Sequence, residues 1–288
     1  MNSILFLSGK GGTGKTSLAG AFAVLAKEKV LADCDVDAAN LHLLLDPSVI
    51  SEGDYEGAKG ALKDQERCTD CGKCKEVCRF HAIGDDLRID EYLCEGCGAC
   101  AFVCPVDAIT LSPRVTGHWM TAKTRLGPLV SAELDPGEET SGKLVMQVKQ
   151  KAHALGEELR LEKLVIDGAP GIGCPVIASA SGANAVILVT EPSLSGLHDL
   201  ERILGVVKHF RIPSYLVINK ADLSVDLTNR IRAFALENDV PFLGEIPFDR
   251  RVTEAMVAGR SVVEDDRGAA AEAMMQIFER FVEVPSDF

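Results

Sequence analysis

SILFLSGKGGTGKTS, residues 3–17, is the stretch whose reading decides the fold. Ser3 to Leu7 is an apolar run of strand length. It enters a glycine-rich loop, Gly9 to Thr16, with no linker between. Leu18, Phe22 and Leu25 then recur at helical spacing. Strand, glycine-rich loop and helix in that order make a phosphate-binding loop. Gly9, Gly11, Gly12 and Gly14 let successive N–H groups turn inward, and the helix N-terminus adds the positive end of its dipole. Lys15 is placed to lie along the β- and γ-phosphates and Thr16 to ligate Mg²⁺, with Thr13 and Ser17 completing the loop.

Further short apolar runs follow at 30–34, 164–166, 185–190 and 215–219, with helical stretches at 194–210 and 227–237. None alternates polar with apolar, so each reads as a strand buried on both faces. The fold class expected is α/β, a doubly wound and mostly parallel sheet. The 288 residues suffice for one large domain or two smaller ones, and 47% hydrophobic with 25% charged residues suits a soluble chain. A formal net charge of −13 argues against nucleic acid or anionic lipid as partner. No apolar run reaches the roughly 20 residues of a membrane helix, and no signal peptide is apparent, so a cytoplasmic protein without a membrane anchor is expected.

Lys10 stands just before the paired glycines of KGGTGKT. Three strand ends carry acidic or amide groups in order: Asp33-Cys34-Asp35 with Asn40 after it, Asp167-Gly168-Ala169-Pro170-Gly171, and Asn219-Lys220-Ala221-Asp222. This set resembles the deviant Walker A P-loop ATPases of the MinD/ParA superfamily, the group that also contains nitrogenase iron protein. The resemblance implies a MinD-like P-loop NTPase fold and Mg²⁺-dependent hydrolysis of ATP. It implies that Lys10 reaches the phosphates of a partner subunit, in a homodimer or with a paralogous ATPase. It assigns water orientation to Asp35, Mg²⁺ to Thr16, Asp33 and Asp167, and γ-phosphate sensing to Gly168. Asn219, Lys220 and Asp222 correspond to the base-binding loop, which leaves ATP against GTP open while the family favours ATP. Pro247, in Ile246-Pro247-Phe248-Asp249, matches a second base-side loop. The expected catalytic set is therefore Lys10, Lys15, Asp35 and Asp167.

Eight of the 10 cysteines form two runs, Cys68, Cys71, Cys74, Cys78 and Cys94, Cys97, Cys100, Cys104. The second repeats the first at a constant interval of 26 residues, and Ala82-Ile83 is answered by Ala108-Ile109. This is an internal duplication. Its C-x2-C-x2-C-x3-C spacing, with Pro105 after the second run, is similar to the bacterial two-cluster ferredoxins. That pattern assigns Cys68, Cys71, Cys74 and Cys104 to one [4Fe-4S] cluster and Cys94, Cys97, Cys100 and Cys78 to the other. Arg79 stands where the pattern has proline. Zinc ribbons and structural thiols fit two identical four-cysteine runs less well. Cys34 reads as a small buried residue; Cys174 lies at the offset of the cluster ligand in nitrogenase iron protein, or is a free thiol.

The expected organisation is a discontinuous ATPase domain, residues 1–60 and 112–288, interrupted by a small α+β ferredoxin-like domain, residues 61–111. Pro113, Gly117, Gly127 and Pro128 suggest a hairpin leading out of the insert. A P-loop ATPase joined to such an insert resembles the ATPases of the orange-protein complex of sulfate-reducing bacteria. A switch-bearing ATPase interrupted by an electron-transfer module suggests nucleotide-driven dimer closure coupled to electron transfer to a redox or metallocluster protein. The alternatives are an ATPase that assembles or carries iron–sulfur clusters, and a MinD/ParA-like spatial organiser. The acidic C-terminal tail, residues 279–288, lacks the basic face with which MinD binds membranes.

Overall fold

The computed structural model describes residues 1–138, 141–265 and 268–283, the side chain of Ser141 excepted. The last five residues of the acidic tail lie outside the described ones. Eleven strands form among these: β1 (Asn2–Ser8), β2 (Lys29–Asp33), β3 (Ser48–Tyr55), β4 (Ala58–Lys63), β5 (Ile109–Arg114), β6 (Gly117–Thr124), β7 (Gly127–Leu134), β8 (Lys163–Pro170), β9 (Ala185–Thr190), β10 (Ser214–Asn219) and β11 (Phe242–Ile246). The helices are α1 (Lys15–Leu25), α2 (Lys73–Val77), α3 (Ala99–Phe102), α4 (Ser141–Leu159), α5 (Cys174–Ala180), α6 (Leu194–His209), α7 (Val225–Glu237), α8 (Arg250–Val257) and α9 (Ala269–Glu283).

Two compact units result: residues 1–52, 119–133 and 141–288, and residues 53–118 with 134–140. In the larger, the strand order β11-β10-β9-β1-β8-β2-β7-β6-β3 puts β1 between β8 and β9, both parallel to it. From β1 the chain moves one way to β2 and later the other way through β9, β10 and β11, so the order reverses at β1. Loops at the carboxyl ends of strands flanking such a reversal form the binding crevice of doubly wound sheets. The expected mostly parallel α/β sheet is thus the fold of the chain. Strands β6 and β7 form the hairpin that the glycines and prolines suggested, turning at Arg125-Leu126. The strand whose apolar run is 164–166 goes on to Pro170, because its pairing with β1 continues, Asp167 opposite Phe6 and, past a one-residue irregularity, Pro170 opposite Ser8.

Burial explains why the central strands read as unbroken apolar runs. Ile4, Leu5, Phe6 and Leu7 are all buried, as are Leu164, Val165 and Ile166. On one face α1 and α9 pack together around Phe22, whose ring meets Phe6, Phe278 and Phe281 edge-on at 4.9, 5.1 and 5.8 Å. Helices α4, α5 and α6 pack against β1, β2, β8 and β9 from the other face. The Lys151 amine lies 3.2 Å from the ring centroid of Trp119, the one tryptophan of the sequence.

In the smaller unit β4 and β5 pair antiparallel, Lys63 opposite Ile109, and the segment between them carries both cysteine runs. The 26-residue duplication is visible in the backbone. Gly72 and Gly98 precede α2 and α3 with left-handed φ values of 76° and 78°. The Asp64 N–H donates to Ala108 O, and the Asp90 N–H donates to Ala82 O. Gly96 is forced to be glycine, since a Cβ there would lie 2.0 Å from the Lys59 carbonyl oxygen.

Replacing Phe22 by Ala should cost about 3–5 kcal/mol of stability through the cavity left at this aromatic junction. Chemical denaturation of the two proteins measures it, and Phe278→Ala, at the partly buried edge of the cluster, should cost less.

Candidate functional site

The loop between β1 and α1 opens into a cleft of about 440 Å³. Gly11, Gly12, Thr13, Gly14, Lys15, Thr16 and Ser17 line it, with Asn40, Asn219, Lys220 and Pro247. Phe248, Asp249 and Met256 complete the wall. Gly14 sits at φ 90°, and a Cβ there would lie 2.1 Å from the Asn219 amide nitrogen. That amide donates to the Thr13 carbonyl at 2.8 Å, so the end of β10 is tied to the loop backbone.

Lys15 is almost fully buried and reaches β8: its Nζ lies 2.6 Å from Asp167 Oδ1, 3.6 Å from Asp35 Oδ2 and 3.4 Å from Thr16 Oγ1. Burial works against its charge, but Asp167, Asp35 and Asp33 outweigh it and hold the amine above the ordinary lysine range. Asp33, at the end of β2, is fully buried and accepts the N–H groups of Asp35 at 3.1 Å and Leu41 at 2.9 Å. Burial first, then the Asp167 carboxylate, pushes it up to about 7, against Lys15 and those two N–H groups. Burial also raises Asp35 to about 6, with Lys15 opposing and Asp167 and Asp37 adding to the shift.

Asp167 Oδ2 is buried without a hydrogen-bond partner among protein groups. A buried, unsatisfied carboxylate oxygen beside a threonine hydroxyl and a second carboxylate is an all-oxygen donor set that fits a hard divalent cation such as Mg²⁺. A bound ion would also stabilise both carboxylates in their charged form, offsetting the burial described above.

Three expected residues stand elsewhere. Gly9 is not in the cleft wall and packs against Asp199, which a Cβ would meet at 2.4 Å. The Asp222 carboxylate accepts the Phe248 N–H at 2.6 Å, and so holds the loop that carries Pro247 rather than lining the cleft itself. Lys10 turns away to Glu191, 2.7 Å, and to the hydroxyls of Ser193, 3.1 Å, and Ser195, 3.0 Å. Glu191 is the residue that sequence reasoning missed. It also meets Lys220 at 2.9 Å, and Lys220 donates to the Gly12 carbonyl at 3.0 Å. Burial pushes its carboxyl up, but the hydrogen bonds from the two lysines outweigh that and hold it below the usual range. Its position directly after the apolar run 185–190, at the carboxyl end of a strand, is the signal that could have found it.

The cysteines of the smaller unit gather in two sets. Cys68, Cys71, Cys74 and Cys104 line one hollow; Cys78, Cys94, Cys97 and Cys100 line another. The fourth cysteine of each run therefore faces the first three of the other. Among the described residues no three His, Cys, Asp or Glu side chains converge closely enough to hold a single metal ion. N–H groups of Val106 and Ala108 directed at Cys104 lower its thiol pKa, which favours the thiolate. Cys34 is buried and its thiol is pushed far up by burial, so it is inert; Cys174 is exposed at the start of α5.

Residues 4–262 match the CobQ/CobB/MinD/ParA nucleotide binding domain. The chain belongs to that family. Over 289 residues it is 32% identical to an uncharacterised protein of Methanocaldococcus jannaschii, covering 97% of this chain and 96% of that one. Over 134 residues it is 28% identical to an iron-sulfur cluster carrier protein of Pyrococcus horikoshii, 42% of this chain and 45% of the relative. The septum site-determining protein MinD of P. horikoshii, solved in complex with Mg-ADP, shares the fold with a TM-score of 0.58 at 17% identity, over 100% of this chain and 99% of that one. The glycine loop after β1, Lys15 and the carboxylates at the ends of β2 and β8 all lie within the matched nucleotide binding domain. Among the described residues no helix is long and apolar enough to cross a membrane.

The raised carboxyl of Asp33 sets the sign of a pH effect. Its folded pKa of about 7 lies above the unfolded value of 3.8, so the folded state holds a proton that the unfolded chain releases. Its contribution to stability is favourable at low pH and is lost as pH rises from about 4 to 7. Nucleotide-free Asp33→Asn protein should lose that part of the slope when denaturation midpoints are compared across this range.

Proposed function

We propose that the chain is an ATP-hydrolysing iron–sulfur protein, in which nucleotide-driven dimer closure is coupled to one-electron transfer through two [4Fe-4S] clusters. One observation carries the reading: two four-cysteine hollows with interleaved ligands lie on the same polypeptide as a phosphate loop of the MinD/ParA type. In this reading residues 61–111 are a ferredoxin-like module inserted into an ATPase domain of residues 1–60 and 112–288. Two identical four-cysteine runs that exchange their fourth members suit a pair of polynuclear clusters better than zinc ribbons. Bound clusters would supply one-electron storage, each accepting an electron from a reduced donor protein and giving it to an oxidised acceptor protein.

The hydrolytic residues take roles that their placement supports. The loop N–H groups and Lys15 bind the triphosphate; Thr16, Asp33 and Asp167 would hold Mg²⁺, which would supply charge neutralisation at the phosphates. Asp35, with a pKa near 6, is mostly ionised at neutral pH and orients the attacking water. The water oxygen bonds to the γ-phosphorus, the bond from that phosphorus to the ADP oxygen breaks, and the water's proton passes to solvent. Positioning and charge carry such a reaction, with no covalent intermediate. Lys10 acts across the dimer in this scheme. To do so it leaves Glu191, Ser193 and Ser195 of its own chain.

A cluster carrier is the second reading, favoured by the similarity to the Pyrococcus horikoshii carrier protein. Transfer of iron to an apo-acceptor separates the two: a carrier loses its clusters, an electron-transfer protein keeps them.

Anaerobically prepared protein should contain about eight iron and eight sulfide per chain. Iron-free, folded protein overturns the reading. Lys15→Ala should lower ATP turnover at least 100-fold. Lys10→Ala should spare nucleotide binding by the monomer and impair hydrolysis by the dimer; normal turnover would overturn action in trans. Stopped-flow reduction of the acceptor should depend on ATP, and equal rates without nucleotide would separate the two halves of the proposal.

A further inference from the structure

The 26-residue duplication allows the two cysteine-lined hollows to be compared position by position. Cys68, Cys71, Cys74 and Cys104 around one correspond to Cys94, Cys97, Cys100 and Cys78 around the other. The apolar linings correspond too: Ala108 and Ile109 to Ala82 and Ile83, Leu87 to Ala61, Val106 to Phe80. The charged ones do not. Lys63 and Lys73 line the first hollow where Ile89 and Ala99 line the second, and Glu95 of the second stands opposite Thr69 of the first.

Lys63 is the consequential difference. Its side chain is only 8% exposed. Its amine donates to the Leu87 carbonyl at 3.3 Å, which fixes it beside the first hollow. A lysine amine is a cation at neutral pH. Asp70 lies 3.6 Å away but is 73% exposed, so solvent screens it far more than it screens the lysine. Lys73 and Glu95 are both exposed and act through higher dielectric.

Resting on the cluster reading above, we infer that the two hollows hold clusters of unequal reduction potential and that Lys63 sets the order. The site of Cys68, Cys71, Cys74 and Cys104 is the more easily reduced. Reduction adds one negative charge within the hollow, and a buried cation beside it stabilises that charge; the apolar Ile89 at the equivalent position offers no such help. Charge and solvent exposure are among the recognised determinants of cluster potential. A single electron delivered by a one-electron donor protein therefore rests in the first site. The second site, lined by Ile89 and Glu95, is the step that an electron must climb to leave by that route.

The test is a redox titration of the anaerobic holoprotein, followed by electron paramagnetic resonance, on the wild type, Lys63→Met, Lys63→Arg and Ile89→Lys. Wild type should show two separate one-electron steps. Lys63→Met should weaken reduction at the higher-potential site on the order of tenfold, a downward shift of about 59 mV for a one-electron couple, and leave the lower step nearly in place. Lys63→Arg should keep the wild-type order, and Ile89→Lys should raise the lower step instead. Coincident steps in iron-replete wild type, or a Lys63→Met protein with both steps unmoved, overturn this inference and leave the cluster reading standing. Protein without iron overturns both. Should Lys63→Met fail to fold, Ile89→Lys decides alone: an unmoved lower step rejects the role of a cation at this position.

Discussion

The contact between Lys15 and Asp167 is the constraint on which the nucleotide site depends. A lysine from the loop after β1 meets a carboxylate from the neighbouring β8, 2.6 Å apart and nearly out of water. Neither charge tolerates such burial unless it is paired. The pair therefore fixes the glycine loop over the sheet, and it can do so only because β1 and β8 are adjacent and parallel, Phe6 opposite Asp167. Asp33 and Asp35 enter the same small volume from β2 on the far side of β8. The result is one cation among three carboxylates, a surplus of negative charge that burial partly neutralises by raising Asp33 and Asp35. A group of charges built this way has a use for further positive charge, and Asp167 keeps one buried carboxylate oxygen without a hydrogen-bond partner.

Much of this was legible in the sequence. Central strands lie under helices on both faces, so their residues are apolar without alternation, and 3–7, 164–166 and 185–190 announce themselves. The glycine loop is legible because its geometry excludes most side chains; Asn219 pressed against Gly14 shows how little room is left. The register that keeps β8 paired as far as Pro170 was not legible, because it follows from the neighbour β1 and not from the residues of β8. Strand β3, exposed along most of its length, carries no apolar signal at all. Glu191 escaped for a related reason: an acidic residue after a strand is ordinary until the fold brings Lys10 and Lys220 to either side of it.

The cysteine runs were legible in a different way. Repetition at a constant interval carries information that composition does not, and the structure returns the same interval in backbone conformation, as at Gly72 and Gly98. Which sulfurs share a hollow depends on the chain's path, and that path crosses the fourth cysteine of each run to the opposite group. The departures from repetition, Lys63 against Ile89 above all, mean little in the linear sequence. They acquire meaning only when both halves surround equivalent spaces.

Strands β4 and β5 have one more consequence. Their pairing brings Lys63 opposite Ile109, and the Asp64 N–H reaches the Ala108 carbonyl at 2.7 Å, so the entire loop from 64 to 108 leaves and returns through a gap one hydrogen bond wide. The ladder between β4 and β5 closes at this point whatever the length of the loop between them, because lengthening a loop adds little to the entropy of closing it.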